Sequence, residues 1–179
     1  MQSQNNKETI NLFIRSAEEV TATVEVAAKD PEILNTALKA AAGNETVILA
    51  EPDNLNPELF SKFKLNPNVV TQPTKEQLAG IRTGITDAFC GIASTGSVCV
   101  SIIKNLTVPA SMLTRKHIVL LDAKDIVPRP RDIFSEDYLE GKGLDRSFTI
   151  ITGPSATADM GPLVRGVHGP GKIHIIILE

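Results

Sequence analysis

The stretch KDPEILNTALKAAAGNETVILA, residues 29–50, indicates the fold class more clearly than any other part of the chain. Asp30 and Pro31 have the residue types of a helix N-cap and a first helical position. One apolar helical stripe follows, made of Ile33, Leu34, Ala37, Leu38 and Ala41. Gly43 is placed to end the helix. Residues 46–50 are then apolar without alternation, which is typical of a strand covered by helices on both faces.

The flanking segments continue this order of helix and strand. Residues 7–19 carry an amphipathic pattern that predicts an N-terminal helix, and residues 21–27 alternate as a strand does. Thr74 and Gln77 form a capping-box pattern that opens another helix. Further strands are predicted at residues 69–70, 117–123, 148–152 and 172–178. We therefore expect one domain over residues 1–179, an α/β fold built as a three-layer α/β/α sandwich with a mostly parallel sheet of about six or seven strands.

Residues 87–103, DAFCGIASTGSVCVSII, interrupt that order. Two strand-like runs flank a Ser-Thr-Gly-Ser turn, which predicts an antiparallel β-hairpin insertion. If the turn centres on Ser94 and Thr95, Cys90 falls opposite Cys99. The two cysteines form no CxxC pair, so we expect reduced, buried thiols.

Composition and charge exclude several classes of protein. The chain has 179 residues, of which 42% are hydrophobic, and a formal net charge of −3. The densest basic cluster, Arg129–Pro130–Arg131, is too short to indicate nucleic-acid binding. No apolar run approaches the roughly 20 residues that span a bilayer. The polar N-terminus carries no signal pattern, so we expect a cytoplasmic protein without a membrane partner.

Metal and cluster sites are not predicted in this chain. Two cysteines cannot by themselves hold an iron–sulfur cluster or a structural zinc ion. The three histidines show no metal-ligand spacing. We expect His117 and His174 to be structural, because one begins a predicted strand and the other lies inside one.

FTIITGPSATADM, residues 148–160, is the first candidate for a functional segment. A buried strand is predicted to end near Thr152, and Gly153–Pro154 then permits a tight turn. Ser155 or Thr157 is placed to cap a short helix, whose free N–H groups would attract a phosphate or a carboxylate. Helix capping alone uses the same residue types, so both interpretations stay open. Asp159 would either orient a hydroxyl or a histidine, or favour the helix start.

Two further segments are candidates for the same site. The turn Thr95–Gly96–Ser97 offers hydroxyl and N–H groups to a ligand, although an ordinary hairpin tip has the same composition. His168 and Gly169 lie in a loop rich in glycine and proline that leads into the last strand. His168 is a candidate acid, base or ligand contact, and the alternative is a loop histidine bonded to the backbone.

GIASTGS, HIVLLDAKDIVPR and TIITGPSATADMGPLVRGVHGPGKIHIIIL together resemble the LUD-domain family, specifically its C-type members that serve lactate utilisation. The resemblance is dense over residues 81–179, whereas the first 80 residues match only in layout. It implies the fold of the sugar-phosphate isomerase and CoA-transferase-like superfamily. This chain departs from the family pattern at Ser94, where relatives often carry an acidic residue.

The resemblance also implies a function. The chain would be a subunit of a complex that oxidises L-lactate to pyruvate, binding a small carboxylate or a cofactor, while iron–sulfur clusters lie in cysteine-rich partner subunits. The alternative is a stand-alone enzyme that acts on a sugar phosphate, a CoA thioester or a folate. His168 and Asp159 are the catalytic candidates, and the cofactor is not identified. The ligand-binding candidates are Thr95, Gly96, Ser97, Gly153, Pro154, Ser155, Thr157, Asp159, His168 and Gly169.

Overall fold

The computed structural model describes residues 2–135, 138, 147–158 and 161–179. Its main sheet consists of six strands: β1 (Thr23–Ala27), β2 (Val47–Leu49), β3 (Val69–Val70), β4 (Thr83–Ala88), β7 (Lys116–Asp122) and β12 (Lys172–Leu178). They lie in the order β1-β12-β7-β4-β2-β3, and every neighbouring pair is parallel. The predicted α/β class with a mostly parallel sheet is therefore confirmed.

Two of the helices begin at the caps that the sequence predicts. The α-helices are α1 (Gln2–Glu19), α2 (Pro31–Ala42), α3 (Lys75–Gly80) and α4 (Pro130–Ile133). The Asp30 carboxylate accepts N–H bonds from Glu32 and Ile33 at the start of α2, and Gly43 ends that helix. Thr74 and Gln77 form the predicted capping box. Shorter helical turns cover Pro57–Phe60, Phe63–Leu65 and Ala123–Asp125 (3₁₀) and Pro109–Leu113 (π).

Two aliphatic cores lie on opposite faces of the main sheet. Successive side chains of a strand point to opposite faces, so β7 divides its residues between the two cores. Val119 and Leu121 pack with Phe13 of α1. Ile118 and Leu120 pack on the other face with Leu34 of α2 and its neighbours. The buried strands therefore contribute to two cores at once, which explains why they lack alternation.

A second sheet of four strands lies on the α1 side. It contains β5 (Cys90–Ile92), β6 (Ser97–Ser101), β8 (Ile126–Val127) and β9 (Phe148–Thr152), in the order β8-β5-β6-β9. β5 and β6 form the predicted antiparallel hairpin, and Cys90 lies opposite Cys99 as expected. Both cysteines are buried, and neither forms a disulfide.

Residues 148–152 form a strand as predicted, but the prediction that this strand is buried was wrong. They form β9, but this strand pairs antiparallel with β6 instead of joining the buried parallel sheet. One of its faces is open to solvent, since Ile150 is 42% exposed. The central strand β4 was missed in turn, because its sequence TGITDA mixes polar residues with glycine although every one of its six residues is buried.

His117 is a fully buried histidine in the middle of the main sheet. It lies in β7 beside β4, and its Nε2 is 2.8 Å from the Thr86 hydroxyl oxygen. Burial disfavours the imidazolium ion and lowers the pKa of His117 to about 3. The side chain is therefore neutral in the folded protein at neutral pH, which agrees with a structural role.

We predict that His117 makes the protein less stable in mild acid. The unfolded chain takes up a proton near the ordinary histidine pKa of about 6.5, whereas the folded protein does so only near pH 3. Stability attributable to this residue therefore falls as pH drops from about 6.5 towards 3. Urea unfolding should show the wild type losing about 2 kcal/mol more than His117→Gln between pH 7 and pH 5. Equal losses in the two proteins would contradict this assignment.

Candidate functional site

A row of three hydroxyl groups joins the hairpin turn to the end of β9. The Thr95 and Ser97 hydroxyl oxygens are 2.7 Å apart, and the Ser97 and Thr152 hydroxyl oxygens are also 2.7 Å apart. Ser97 is buried, Thr95 is half-buried and Thr152 is exposed. Three hydroxyl protons serve two bonds within the row, so one O–H group of the row is left to donate to an outside acceptor.

The last turn of α1 closes over the glycines beside this row. Gly96 has φ +62°, and a Cβ atom placed there would lie 2.2 Å from the Ala17 backbone nitrogen. Gly153 has φ +65°, and a Cβ atom there would lie 2.4 Å from the Val20 carbonyl oxygen. Both positions therefore require glycine for backbone conformation and for close packing. Their role is to seat α1, not to form an open cradle.

The predicted helix start after Thr152 is wrong. Residues 156–157 form a short strand, β10 (Ala156–Thr157), which pairs antiparallel with β11 (Val164–Arg165). The Ser155 N–H donates to the Pro170 carbonyl at 2.8 Å, so it is not free for an anion. Small and hydroxyl-bearing residues suit a tight turn into a ribbon as well as a helix cap, which explains the error.

The two-stranded ribbon that β10 and β11 form brings part of the predicted site together. The Gly166 N–H donates to the Ser155 carbonyl at 2.9 Å, and Gly169 packs against the Ser155 side chain. His168 is exposed in the loop between β11 and β12, while Pro154 and Thr157 are half-buried. Asp159 lies outside the described residues. The hydroxyl row and the ribbon are thus consecutive along the chain, joined at Gly153.

Sequence reasoning missed a buried carboxylate at the end of β4. Asp87 accepts backbone N–H bonds from Asp53, Asn54 and Leu55, with the shortest distance, 2.6 Å, to Asn54. Only 7% of Asp87 is exposed. This carboxylate therefore fixes the loop that leaves β2 against the end of β4. The signal in the sequence was an aspartate at the end of an otherwise uncharged run.

A cleft of about 810 Å³ opens beside that loop, at the carboxyl ends of β2 and β3. Its wall contains Glu51 and Lys104, whose carboxylate and ammonium groups are 3.4 Å apart. The Lys104 ammonium also donates to the Pro52 carbonyl at 3.2 Å. No residue of this cleft was among the sequence candidates.

The two cysteines face a tyrosine on the outer side of the second sheet. A hydrogen bond with Cys90, together with burial, raises the pKa of Cys99. Burial and a hydrogen bond with Cys90 raise the pKa of Tyr138, whose hydroxyl donates to the Phe89 carbonyl at 3.1 Å. The raised pKa keeps the Cys99 thiol protonated, and a protonated thiol is a poor nucleophile and a poor metal ligand, so Cys99 acts here as a packing group.

Neither a metal cluster nor a membrane-spanning helix occurs in the described part of the chain. No group of three or more His, Cys, Asp or Glu side chains there is arranged to hold a metal ion. Within the same residues, no helix combines the length and the apolar character that crossing a bilayer requires.

A model of the LUD domain matches residues 10–178, which is nearly the whole chain. The chain therefore belongs to the LUD-domain family. It is 33% identical to lactate utilization protein C of Bacillus subtilis over 100 residues, which cover 54% of this chain and 42% of that protein. It is 28% identical to an uncharacterized protein of Neisseria meningitidis serogroup B over 104 residues, which cover 58% of this chain and 45% of that protein. The chain thus spans less than half the length of these relatives.

A solved structure supports the fold. The crystal structure of a DUF162 family protein from Deinococcus radiodurans superposes with a TM-score of 0.72 at 18% identity. The superposition covers 97% of this chain and 98% of that one. The two proteins therefore share one fold.

We predict that Gly96→Ala and Gly153→Ala each lower the free energy of unfolding by at least about 2 kcal/mol, because positive φ and the α1 backbone both oppose a Cβ atom. Chemical denaturation measures this loss. Gly43→Ala is the matched control, since Gly43 has φ +66° but open space around it. A loss near 1 kcal/mol is expected there. Equal losses at all three positions would show that contact with α1 contributes nothing.

We predict that Asp87→Asn destabilises the protein by about 2–3 kcal/mol, because the neutral amide loses the charge that strengthens three N–H bonds and sets its NH₂ group against the N–H of Asp53. Asp30→Asn is the control, because asparagine also caps helices well and a change of a few tenths of a kcal/mol is expected. Urea denaturation with hydrogen exchange at Asp53–Leu55 measures both effects. Unchanged protection of those amides in Asp87→Asn would contradict the assigned role.

Proposed function

We propose that this LUD-domain chain takes part in lactate utilisation as a subunit that binds a small carboxylate and leaves the redox centres to its partners. The family match and the similarity to a protein named lactate utilization protein C support the general role. The oxidation of lactate to pyruvate, the cytoplasmic location and the iron–sulfur partners are the specific parts of the proposal.

The hydroxyl row is the observation on which this proposal chiefly depends. A carboxylate accepts hydrogen bonds, and a row of three hydroxyls has one donor left after its internal bonds. Thr152 ends the row at the surface, beside the turn at Gly153 that leads to the ribbon. When Thr95 donates to Ser97 and Ser97 donates to Thr152, the Thr152 O–H is the donor left for a small acid bound there.

His168 provides the second group of the proposed site. It lies in the loop that packs against Ser155 through Gly169, and its imidazole is exposed. An imidazole can donate to a carboxylate or accept a proton from a hydroxyl group. We assign it the role of contacting the ligand, either as donor or as base, and Asp159 is the candidate for orienting it.

Electron transfer needs groups that this chain's cysteines do not provide. An iron–sulfur cluster usually takes four cysteine ligands, and the sequence contains two cysteines, which lie buried opposite each other. Cysteine-rich subunits are therefore the proposed carriers of the electrons removed from lactate. This chain would position the acid for them.

We predict that cysteine-rich subunits co-purify with the tagged full chain when it is isolated from its source organism at low salt. The purified complex should reduce a dye in the presence of L-lactate. Thr152→Val should raise the KM for L-lactate in that complex about tenfold, because one charge-assisted hydrogen bond is lost. Steady-state dye reduction measures this change.

Thr149→Val is the matched control, since Thr149 lies on the same strand with its side chain on the opposite face and is expected to leave the KM unchanged. The isolated chain should reduce no dye with L-lactate. Turnover by the isolated chain would refute the assignment of electron transfer to partner subunits and would favour the alternative of a stand-alone enzyme. An unchanged KM in Thr152→Val would refute the proposed carboxylate site.

A further inference from the structure

The cleft of about 810 Å³ lies at the carboxyl ends of the neighbouring parallel strands β2 and β3. The residues that follow these two strands line it, together with Lys64 and with residues 103–106, which come after β6 along the chain. In open parallel sheets, ligands bind outside the carboxyl ends of the strands.

The rim of this cleft is held in place before any ligand binds. Asp87 fixes residues 53–55 through their N–H groups, and Lys104 bonds to the Pro52 carbonyl. Both contacts hold the loop that carries Glu51 into the cleft. A preorganised rim reduces the entropy lost on binding.

The charge in the cleft favours an anion. Two lysines, Lys64 and Lys104, line it together with one carboxylate, Glu51. Lys104 pairs with Glu51, which is itself 73% exposed, whereas Lys64 makes no ion pair with a described residue. The two lysines against one carboxylate leave the cleft with a positive charge for a ligand to neutralise.

The remaining lining suits a ligand body that is partly apolar. Ile103, Leu106 and Pro73 offer apolar surface, and 59% of Ile103 is exposed. Gln72 and Asn105 offer amide donors and acceptors. The volume lies within the range of about 300–1,000 Å³ that is typical of small-molecule sites, and it far exceeds the needs of a three-carbon acid.

We propose that this cleft is a second binding site, separate from the hydroxyl row, and that it takes a phosphate monoester of nucleotide size. The lysines hold the dianionic phosphate as point charges, which is how lysine binds phosphate. A planar base lies against Ile103 and Leu106, with its polar edge at the amides of Gln72 and Asn105. Glu51 accepts a hydroxyl of the sugar. The site requires neither lactate nor a partner subunit.

The probe for this site is adenosine 5′-monophosphate, titrated into the full chain by calorimetry and by amide chemical-shift mapping. We expect a dissociation constant below about 1 mM, with shifts at Glu51, Gln72 and Asn105. Adenosine and inorganic phosphate should each bind at least tenfold more weakly, because each lacks one half of the recognised ligand. Raising the salt concentration should weaken the binding of the nucleotide.

Lys64→Met and Lys104→Met should each weaken that binding about tenfold. Lys39→Met, on the exposed side of α2, is the matched control and should bind as the wild type does. Lys64 makes no ion pair with a described residue, so its variant is expected to fold normally. The proposal is overturned if the nucleotide does not bind, if adenosine binds equally well, or if Lys64→Met binds unchanged. These outcomes leave the lactate assignment untouched, because it is measured at Thr152.

Discussion

The close packing of Gly96 and Gly153 against the end of α1 and the residue after it holds the hairpin turn and the end of β9 in place. Gly96 lies in the hairpin turn and Gly153 follows β9, so both flank strands of the second sheet. Phe13 of the same helix shares one core with Val98 of the second sheet and Val119 of the main sheet. The helix and this shared core therefore hold the two sheets together. The hydroxyl row lies beside the two glycines.

The cleft depends on a different contact. Asp87 accepts three N–H groups from the loop after β2, and the burial of this carboxylate is tolerated because those donors are supplied. This contact holds that loop against the end of β4. The cleft opens beside the same loop, at the ends of β2 and β3, and its two lysines outnumber its one carboxylate. The two candidate sites are thus held by unrelated contacts, so they can be tested separately.

Sequence patterns predicted those parts of the structure in which the local preference of each residue type agrees with its burial in the fold. The caps at Asp30 and Thr74, the strand 117–123 and the pairing of Cys90 with Cys99 are examples. The strand β4 was missed because a central position buries its threonines and aspartate through partners distant in sequence. The ribbon after Thr152 was mistaken for a helix because local residue types suit both. The cleft was not predicted, since its residues come from four separate segments of the chain.

Binding of a small carboxylate where the hydroxyl row meets the ribbon can be observed without any partner subunit. The decisive experiment is amide and hydroxyl chemical-shift mapping of the full chain during titration with L-lactate, with acetamide as the uncharged comparison. We predict saturable shifts at Ser97, Thr152 and Gly169 with lactate alone, and their loss in Thr152→Val. Shifts confined to the cleft at Glu51 and Lys104, or no saturable shifts at all, would contradict the proposed carboxylate site.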